Sequence, residues 1–217
     1  MSPSNIAISA IIFDAGDVLV HQIPDEDLEV MTTFYSRYSG YDKSELSFHF
    51  TQLYEKIRTL KPNSKINFVE MKLDNQPKLK LPISLFCEYE VEKFWKNPDP
   101  LLKETFIYLR KQGYRIAILT DSALPSDKIR KILNHVSPYI HSIVSSRDIG
   151  TMKPDQSMYS AILKRLNISA KKGLFIGHDI EEIQGASEVG LFHENYEEIG
   201  SLERLIEVIH QKYVFYE

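Results

Sequence analysis

The chain has 217 residues, 43% hydrophobic and 26% charged, a globular balance that excludes a disordered or fibrous protein and leaves room for one sizeable core plus a modest insertion. Its formal net charge of −4, with both signs interspersed, offers no broad cationic face to track a phosphate backbone, so nucleic acid is excluded as a partner. Cys87 is the only cysteine, so neither an intramolecular disulfide nor a cysteine-based zinc cage can form, and a reducing, cytoplasmic setting is expected.

The apolar run Ile6–Val20 is broken by Asp14 and Asp17 and has no basic leader, which argues against a signal peptide. No stretch reaches the roughly 18–20 apolar residues of a spanning helix, so no membrane partner is expected. Within that run, Ile8–Phe13 reads as a strand buried on both faces that delivers Asp14 at its tip. From about residue 21 the period becomes helical, with Leu28, Met31, Tyr35 and Tyr38 on one face between Pro24 and Gly40. A second helix is expected from Asp42, which has capping-box spacing to Glu45, with Leu46, Phe50, Leu53, Ile57 and Leu60 on its apolar face and Pro62 stopping it.

Residues 61–82 hold three prolines among lysines and asparagines without a clean period, and predict loops with at most a short helix. Ile83, Cys87, Val91 and Phe94 then recur at helical spacing, placing Cys87 on a helix face as a small apolar residue. Asn97-Pro98-Asp99-Pro100 breaks the chain, with Asp99 expected as N-cap, Pro100 at the first helical position and Gly113 at the stop. Strands at Arg115–Leu119, Ile140–Val144, Gly173–Ile176 and Leu191–Phe192 alternate with helical segments near 125–135, 155–166, 181–189 and 201–211. Such units imply an α/β fold with a parallel sheet covered by helices, whose polar residues of interest gather at the carboxyl ends of the strands.

Asp14, Thr120, Lys153 and Asp179 each follow a predicted strand. Neighbouring strands would bring a carboxylate nucleophile, a hydroxyl donor, an ammonium and a metal-binding carboxylate to one crevice. This set suits phosphoryl transfer: a carboxylate attacks phosphorus, a divalent ion offsets the repulsion between two anions, and fixed donors hold the non-bridging oxygens. His178, beside Asp179, suits a hard magnesium site poorly and reads as an outer-shell or loop residue.

The segment Ile11–Leu19, with Asp14-Ala15-Gly16-Asp17, is similar to the hydrophobic strand and D-x-D-G-T/V-L motif of the haloacid-dehalogenase-like hydrolases. Ile116–Ser122, ending Thr120-Asp121-Ser122, resembles that family's second motif. Gly150-Thr151-Met152-Lys153-Pro154-Asp155 with Tyr159 resembles its third, and Phe175–Ala186 its acidic fourth. The acidic spacing in the fourth is shorter than usual, which leaves open whether Asp179, Glu182 or both serve an ion.

The resemblance implies a Rossmann-like three-layer core formed by residues 1–20 and 98–217, with a small helical cap at 21–97. It implies Asp14, Thr120 and Lys153 as catalytic residues, and phosphate binding by Ala15, Gly16, Asp121, Ser122 and Lys153. It also implies Mg2+ held by Asp14, the Gly16 carbonyl, Asp179 and Glu182. The expected substrate is a small phosphorylated metabolite such as a sugar phosphate, and the expected assembly a monomer or homodimer. Gly16 departs from the family, which places a general-acid aspartate there, and resembles the D-x-G-N-V motif of its sugar-phosphate phosphatases. Two rivals stand beside the phosphatase: a metal-independent 2-haloacid dehalogenase, against which Asp179 speaks, and a non-catalytic binding protein that has lost its acid.

Overall fold

The computed structural model describes residues 6–21, 36, 42–60, 68–71 and 79–216. In chain order these give β1 (Ile6–Ile8), β2 (Ala10–Phe13), α1 (Lys43–Arg58), β3 (Phe68–Met71), β4 (Leu79–Pro82), α2 (Ile83–Glu90), α3 (Leu102–Lys111), β5 (Arg115–Thr120) and α4 (Ser126–Ile132). There follow β6 (Ile140–Ser145), α5 (Ser146–Ile149), α6 (Gln156–Leu166), β7 (Gly173–Gly177), α7 (Ile180–Glu188), β8 (Phe192–Asn195), α8 (Tyr196–Ile199), α9 (Leu202–Lys212) and β9 (Tyr213–Phe215).

The central sheet has the order β6-β5-β2-β7-β8 and every neighbour pair is parallel. The pattern of apolar runs explains it, because β2, β5, β6 and β7 are largely buried on both faces and successive side chains alternate between them, while β8 is a more open edge strand. Ile11, Phe13, Ile116, Ile118 and Ile176 pack one face under Phe106 and Leu109 of α3 and Leu205 and Ile209 of α9. Ile12, Ala117, Leu119 and Phe175 face the other way, under Met158, Tyr159 and Ile162 of α6 and Ile183 of α7. The result is the expected three-layer α/β core. From β2 the chain winds outward through β5 to β6 and then returns to β7 on the other side of β2. This reversal opens a crevice beyond the carboxyl end of β2, where doubly wound sheets bind ligands.

The expected first strand is two: the chain breaks step at Ser9, and β1 leaves the main sheet to pair with β9 in parallel. Gly113, at φ +97, stops α3 as anticipated, but that helix begins at Leu102 rather than Pro100. Asp99 caps the turn before it, accepting from Leu101 N–H at 2.8 Å.

The insertion between β2 and α3 is held by its own small core, in which Leu53 and Ile57 of α1 meet Val69, Leu81, Leu85, Phe86 and Tyr89. The first expected insertion helix, with Leu28, Met31, Tyr35 and Tyr38, lies outside the described residues. The second is α1, with Asp42 accepting from Ser44 N–H at its N-terminus. Where loops or a short helix were expected over 61–82, β3 and β4 pair antiparallel. Val69 and Leu81 point inward while Glu70 and Lys80 form a 3.4 Å ion pair outside. After α2, Val91–Trp95 form a π-helical turn. The chain enters and leaves the insertion side by side, with His21 N–H donating to Asn97 O at 3.0 Å and Asp99 N–H to Leu19 O at 2.9 Å. No helix among the described residues is long and apolar enough to cross a membrane.

Candidate active site

Asp14 stands one residue past β2, and its N–H donates to Ile176 O at 2.8 Å, extending the β2–β7 ladder to the crevice. The chain then turns tightly: Leu19 and Val20 N–H both donate to Ala15 O, at 2.9 and 3.0 Å. The left-handed residue of this turn is Asp17, at φ 53, and Gly16 is not left-handed. A Cβ added at Gly16 meets no atom within 4 Å. Thr120 ends β5 and is buried. Beyond β6, α5 closes on Gly150 at φ 88, and the chain doubles back to present Lys153.

Asp179 follows β7 as the N-cap of α7, its Oδ1 accepting from Glu181 and Glu182 N–H at 2.8 and 3.1 Å. Glu182 thereby sits on the first turn facing Lys153. The third and fourth motifs are locked together, because Tyr159 Oη donates to Glu182 O at 2.6 Å. Gly185 lets α7 approach so closely that a Cβ there would come within 2.9 Å of Pro154 O.

Lys153 Nζ donates to Asp14 Oδ1 at 2.5 Å and to Glu182 Oε2 at 2.7 Å, with the lysine side chain 1% exposed. Burial works against the ammonium, but Asp14 and Glu182 outweigh it and hold its pKa above the ordinary value. Burial likewise pushes the Asp14 carboxyl up, and Lys153 and His178 more than offset that, leaving it below the usual range. Asp14 is an ionised, dehydrated carboxylate, the state a nucleophile requires.

Glu182 is pushed up to about 7 by burial and then by the Asp14 charge, only partly offset by Lys153. Asp121 is raised by burial against the pull of Lys153 and Arg58, and its Oδ1 accepts Lys153 N–H at 3.1 Å. His178 Nδ1 lies 3.2 Å from Asp14 Oδ2 without hydrogen-bond alignment. The contact with Asp14, working against burial, raises the imidazole pKa.

These groups line a crevice of about 240 Å³. It brings together Asp14, Ala15, Gly16, Thr120, Asp121, Lys153, Asp179 and Glu182. Ser122 is not among its lining residues: it is fully buried, its hydroxyl donates to Glu90, and its N–H is taken by Ser146 Oγ at 2.9 Å. Cys87 is buried in α2 with its thiol pKa raised by burial, in keeping with a packing role.

The insertion adds Tyr54, Arg58, Glu90, Phe94 and Trp95 to the wall, residues that sequence reasoning did not nominate. Glu90 accepts from Tyr54 Oη and Trp95 Nε1 at 2.9 Å each, from Ala123 N–H at 2.6 Å, and from Ser122 Oγ. In sequence it is one of two glutamates, Glu88 and Glu90, near the end of the helix, with nothing local to tell them apart.

A hard divalent cation fits the chemistry of this donor set. Asp14, Asp121 and Glu182 crowd one ammonium, and Glu182 is raised first by burial and then by the Asp14 charge, which Lys153 only partly offsets. The available donors are carboxylates and a backbone carbonyl, the oxygen ligands magnesium takes. Among the described residues no three of His, Cys, Asp and Glu already form a cage. Asp179 Oδ1 and Glu182 Oε2 are committed to the α7 N-terminus and to Lys153.

A family model for haloacid dehalogenase-like hydrolases matches residues 8–190. A glyceraldehyde 3-phosphate phosphatase of Methanopyrus kandleri is 24% identical over 117 residues, covering 53% of this chain and 50% of that protein. A ribulose-1,5-bisphosphate 5-phosphatase of Halopiger xanaduensis is 33% identical over 95 residues, covering 42% of this chain and 39% of that protein. The chain thus spans half or less of the length of these curated relatives. The crystal structure of a phosphatase of the same fold from Thermococcus onnurineus superposes with a TM-score of 0.65 at 19% identity, covering 95% of this chain and 100% of that one.

Proposed function

The chain belongs to the haloacid dehalogenase-like hydrolases, and from that premise we propose that it hydrolyses phosphomonoesters of small metabolites, sugar phosphates foremost, through Asp14. The observation that carries this reading is the buried Asp14 carboxylate, ion-paired at 2.5 Å with Lys153 at the sheet's switch point. An Asp14 oxygen attacks phosphorus as the bond to the leaving alcohol breaks, and the departing oxygen takes a proton from water. A water molecule then cleaves the acyl phosphate, releasing inorganic phosphate and restoring the carboxylate.

Lys153 and the Thr120 hydroxyl hold the non-bridging oxygens in place before charge develops on them, and Ala15, Gly16 and Asp121 offer backbone N–H groups to the same oxygens. Asp14, the Gly16 carbonyl, Asp179 and Glu182 would hold magnesium, whose charge would offset repulsion between carboxylate and phosphate. Residues 21–97 act as a cap on the core formed by 1–20 and 98–217. The paired entry and exit segments at 19–21 and 97–99 support that division. Closure of the cap excludes water and selects the substrate.

The test is phosphate release from a panel of phosphomonoesters, with magnesium and with a chelator, by the parent protein and by Asp14→Asn. Magnesium-dependent release that Asp14→Asn loses is expected. Halide release from 2-haloacids in the presence of chelator would establish the dehalogenase alternative instead, and no turnover of either class the binding-protein one.

A further inference from the structure

The crevice wall contains two strong bases among the described residues, Lys153 and Arg58. Lys153 donates to Asp14 and Glu182, whose carboxylates compensate its charge. Arg58, in the last turn of α1, is placed differently. Its side chain is 20% exposed, and its guanidinium carbon stands 5.4 Å from the centroid of the Tyr54 ring. Nη2 donates to Asp121 O at 2.8 Å, a neutral acceptor. Nη1 reaches Glu55 at 3.0 Å, but that carboxylate is 45% exposed, and an ion pair so open to water is weak. Nε is buried and has no acceptor among the described residues.

A buried N–H on a cation is costly to leave unpaired, and none of the described residues accepts from it. The planar fork is nonetheless fixed by the Asp121 carbonyl and by the Tyr54 ring, so it is organised for an oxyanion before one arrives. Asp121 directly follows Thr120, one of the residues assigned to the transferring phosphoryl group. An anion held by Arg58 would therefore belong to a short molecule spanning both positions, and both line the same crevice.

We propose that Arg58 binds a second anionic group, a carboxylate or a second phosphate, on the substrate whose phosphoryl group Asp14 receives. The preferred substrates are then short phosphate monoesters bearing a second acidic group. This inference rests on the phosphomonoesterase reading above.

The test compares matched pairs of esters in the parent protein, Arg58→Gln and Arg58→Lys. One pair is a two-carbon phosphate monoester ending in a carboxylate and its primary amide; the other is a three-carbon bisphosphate and the corresponding monophosphate. The parent should favour the doubly acidic member of at least one pair by about tenfold or more in kcat/KM, through KM, as expected for one charge-assisted hydrogen-bonded contact. The favoured pair tells carboxylate from phosphate.

Arg58→Gln should erase that preference, lowering kcat/KM of the doubly acidic member by about tenfold more than that of the singly acidic one, and Arg58→Lys should recover part of it. Should Arg58→Gln fail to fold, as judged by its melting transition, the preference of the parent and its reduction in Arg58→Lys decide the matter. Equal losses on both members of each pair, or no preference in the parent, would overturn the inference and leave Arg58 a tether for Asp121. Absence of turnover on every ester in the parent would instead overturn the phosphomonoesterase reading on which the inference rests.

Discussion

Glu90, at the end of α2, accepts the backbone N–H of Ala123 at 2.6 Å, so a carboxylate from the insertion holds the loop that follows Thr120. The same side chain also receives Tyr54 Oη, Trp95 Nε1 and Ser122 Oγ. Leaving one buried donor unsatisfied costs about 1–3 kcal/mol, and Glu90→Ala strands several at once. Chemical denaturation should show a loss of at least about 2 kcal/mol. A variant as stable as the parent would mean that water enters and replaces the carboxylate.

Lys153 neutralises a site that would otherwise gather carboxylates. Replacing it with Met keeps most of the volume but leaves Asp14 and Glu182 buried without their cation. Breaking one partner of a buried pair typically costs about 3–5 kcal/mol. Lys153→Met should therefore lose both phosphate release and stability, and magnesium should restore more stability to the variant than to the parent. Loss of activity without any fall in denaturation midpoint would show that the carboxylates protonate or rearrange at little cost.

Glu182 gives a pH signature. Its pKa is raised from 4.5 to about 7 in the folded protein, by burial and by Asp14. A group raised on folding contributes stability that is complete below the unfolded value and fades as pH rises through the folded one. The metal-free protein should accordingly lose stability between about pH 4.5 and 7 as Glu182 ionises against Asp14. Glu182→Gln should flatten that part of the profile, and magnesium should reduce the slope in the parent by compensating the charge. An unchanged slope in Glu182→Gln would assign the proton to another group.

The sheet and the strand-tip residues were legible because a strand buried on both faces must be a continuous apolar run, and a polar residue ending such a run has few places to go. Asp14 and Thr120 stand in that pattern at the ends of β2 and β5, Asp179 lies two residues past β7, and Lys153, beyond β6 and α5, is marked by its Gly-x-x-Lys-Pro-Asp motif instead. β3 and β4 were not, because two four-residue strands among lysines and prolines owe their existence to packing of Val69 and Leu81 on α1 and α2. The pairing of Ile6 with Tyr213 joins opposite ends of the chain, which no local period reports. Arg58 looks in sequence like any basic residue in a last helical turn. Ser122 belongs to a motif that marks the crevice, yet its hydroxyl turns inward to Glu90.

In the proposed reaction Gly16 bears on the leaving group. A general acid contributes about 10²–10⁴-fold, and glycine contributes none, so esters of acidic alcohols, phenols and hemiacetals should be cleaved faster than esters of primary alcohols. Rates across a series of aryl and alkyl phosphates should rise steeply as leaving-group pKa falls. The backbone does not require glycine here, since the strained residue of the turn is Asp17 and a Cβ at position 16 would meet no atom within 4 Å. Gly16→Asp should fold with a stability change within about 1 kcal/mol, and should speed primary-alcohol esters more than aryl esters, flattening the dependence on leaving group. If the parent already shows a flat dependence, a proton is being delivered by another wall residue, and Gly16→Asp will then leave the slope unaltered.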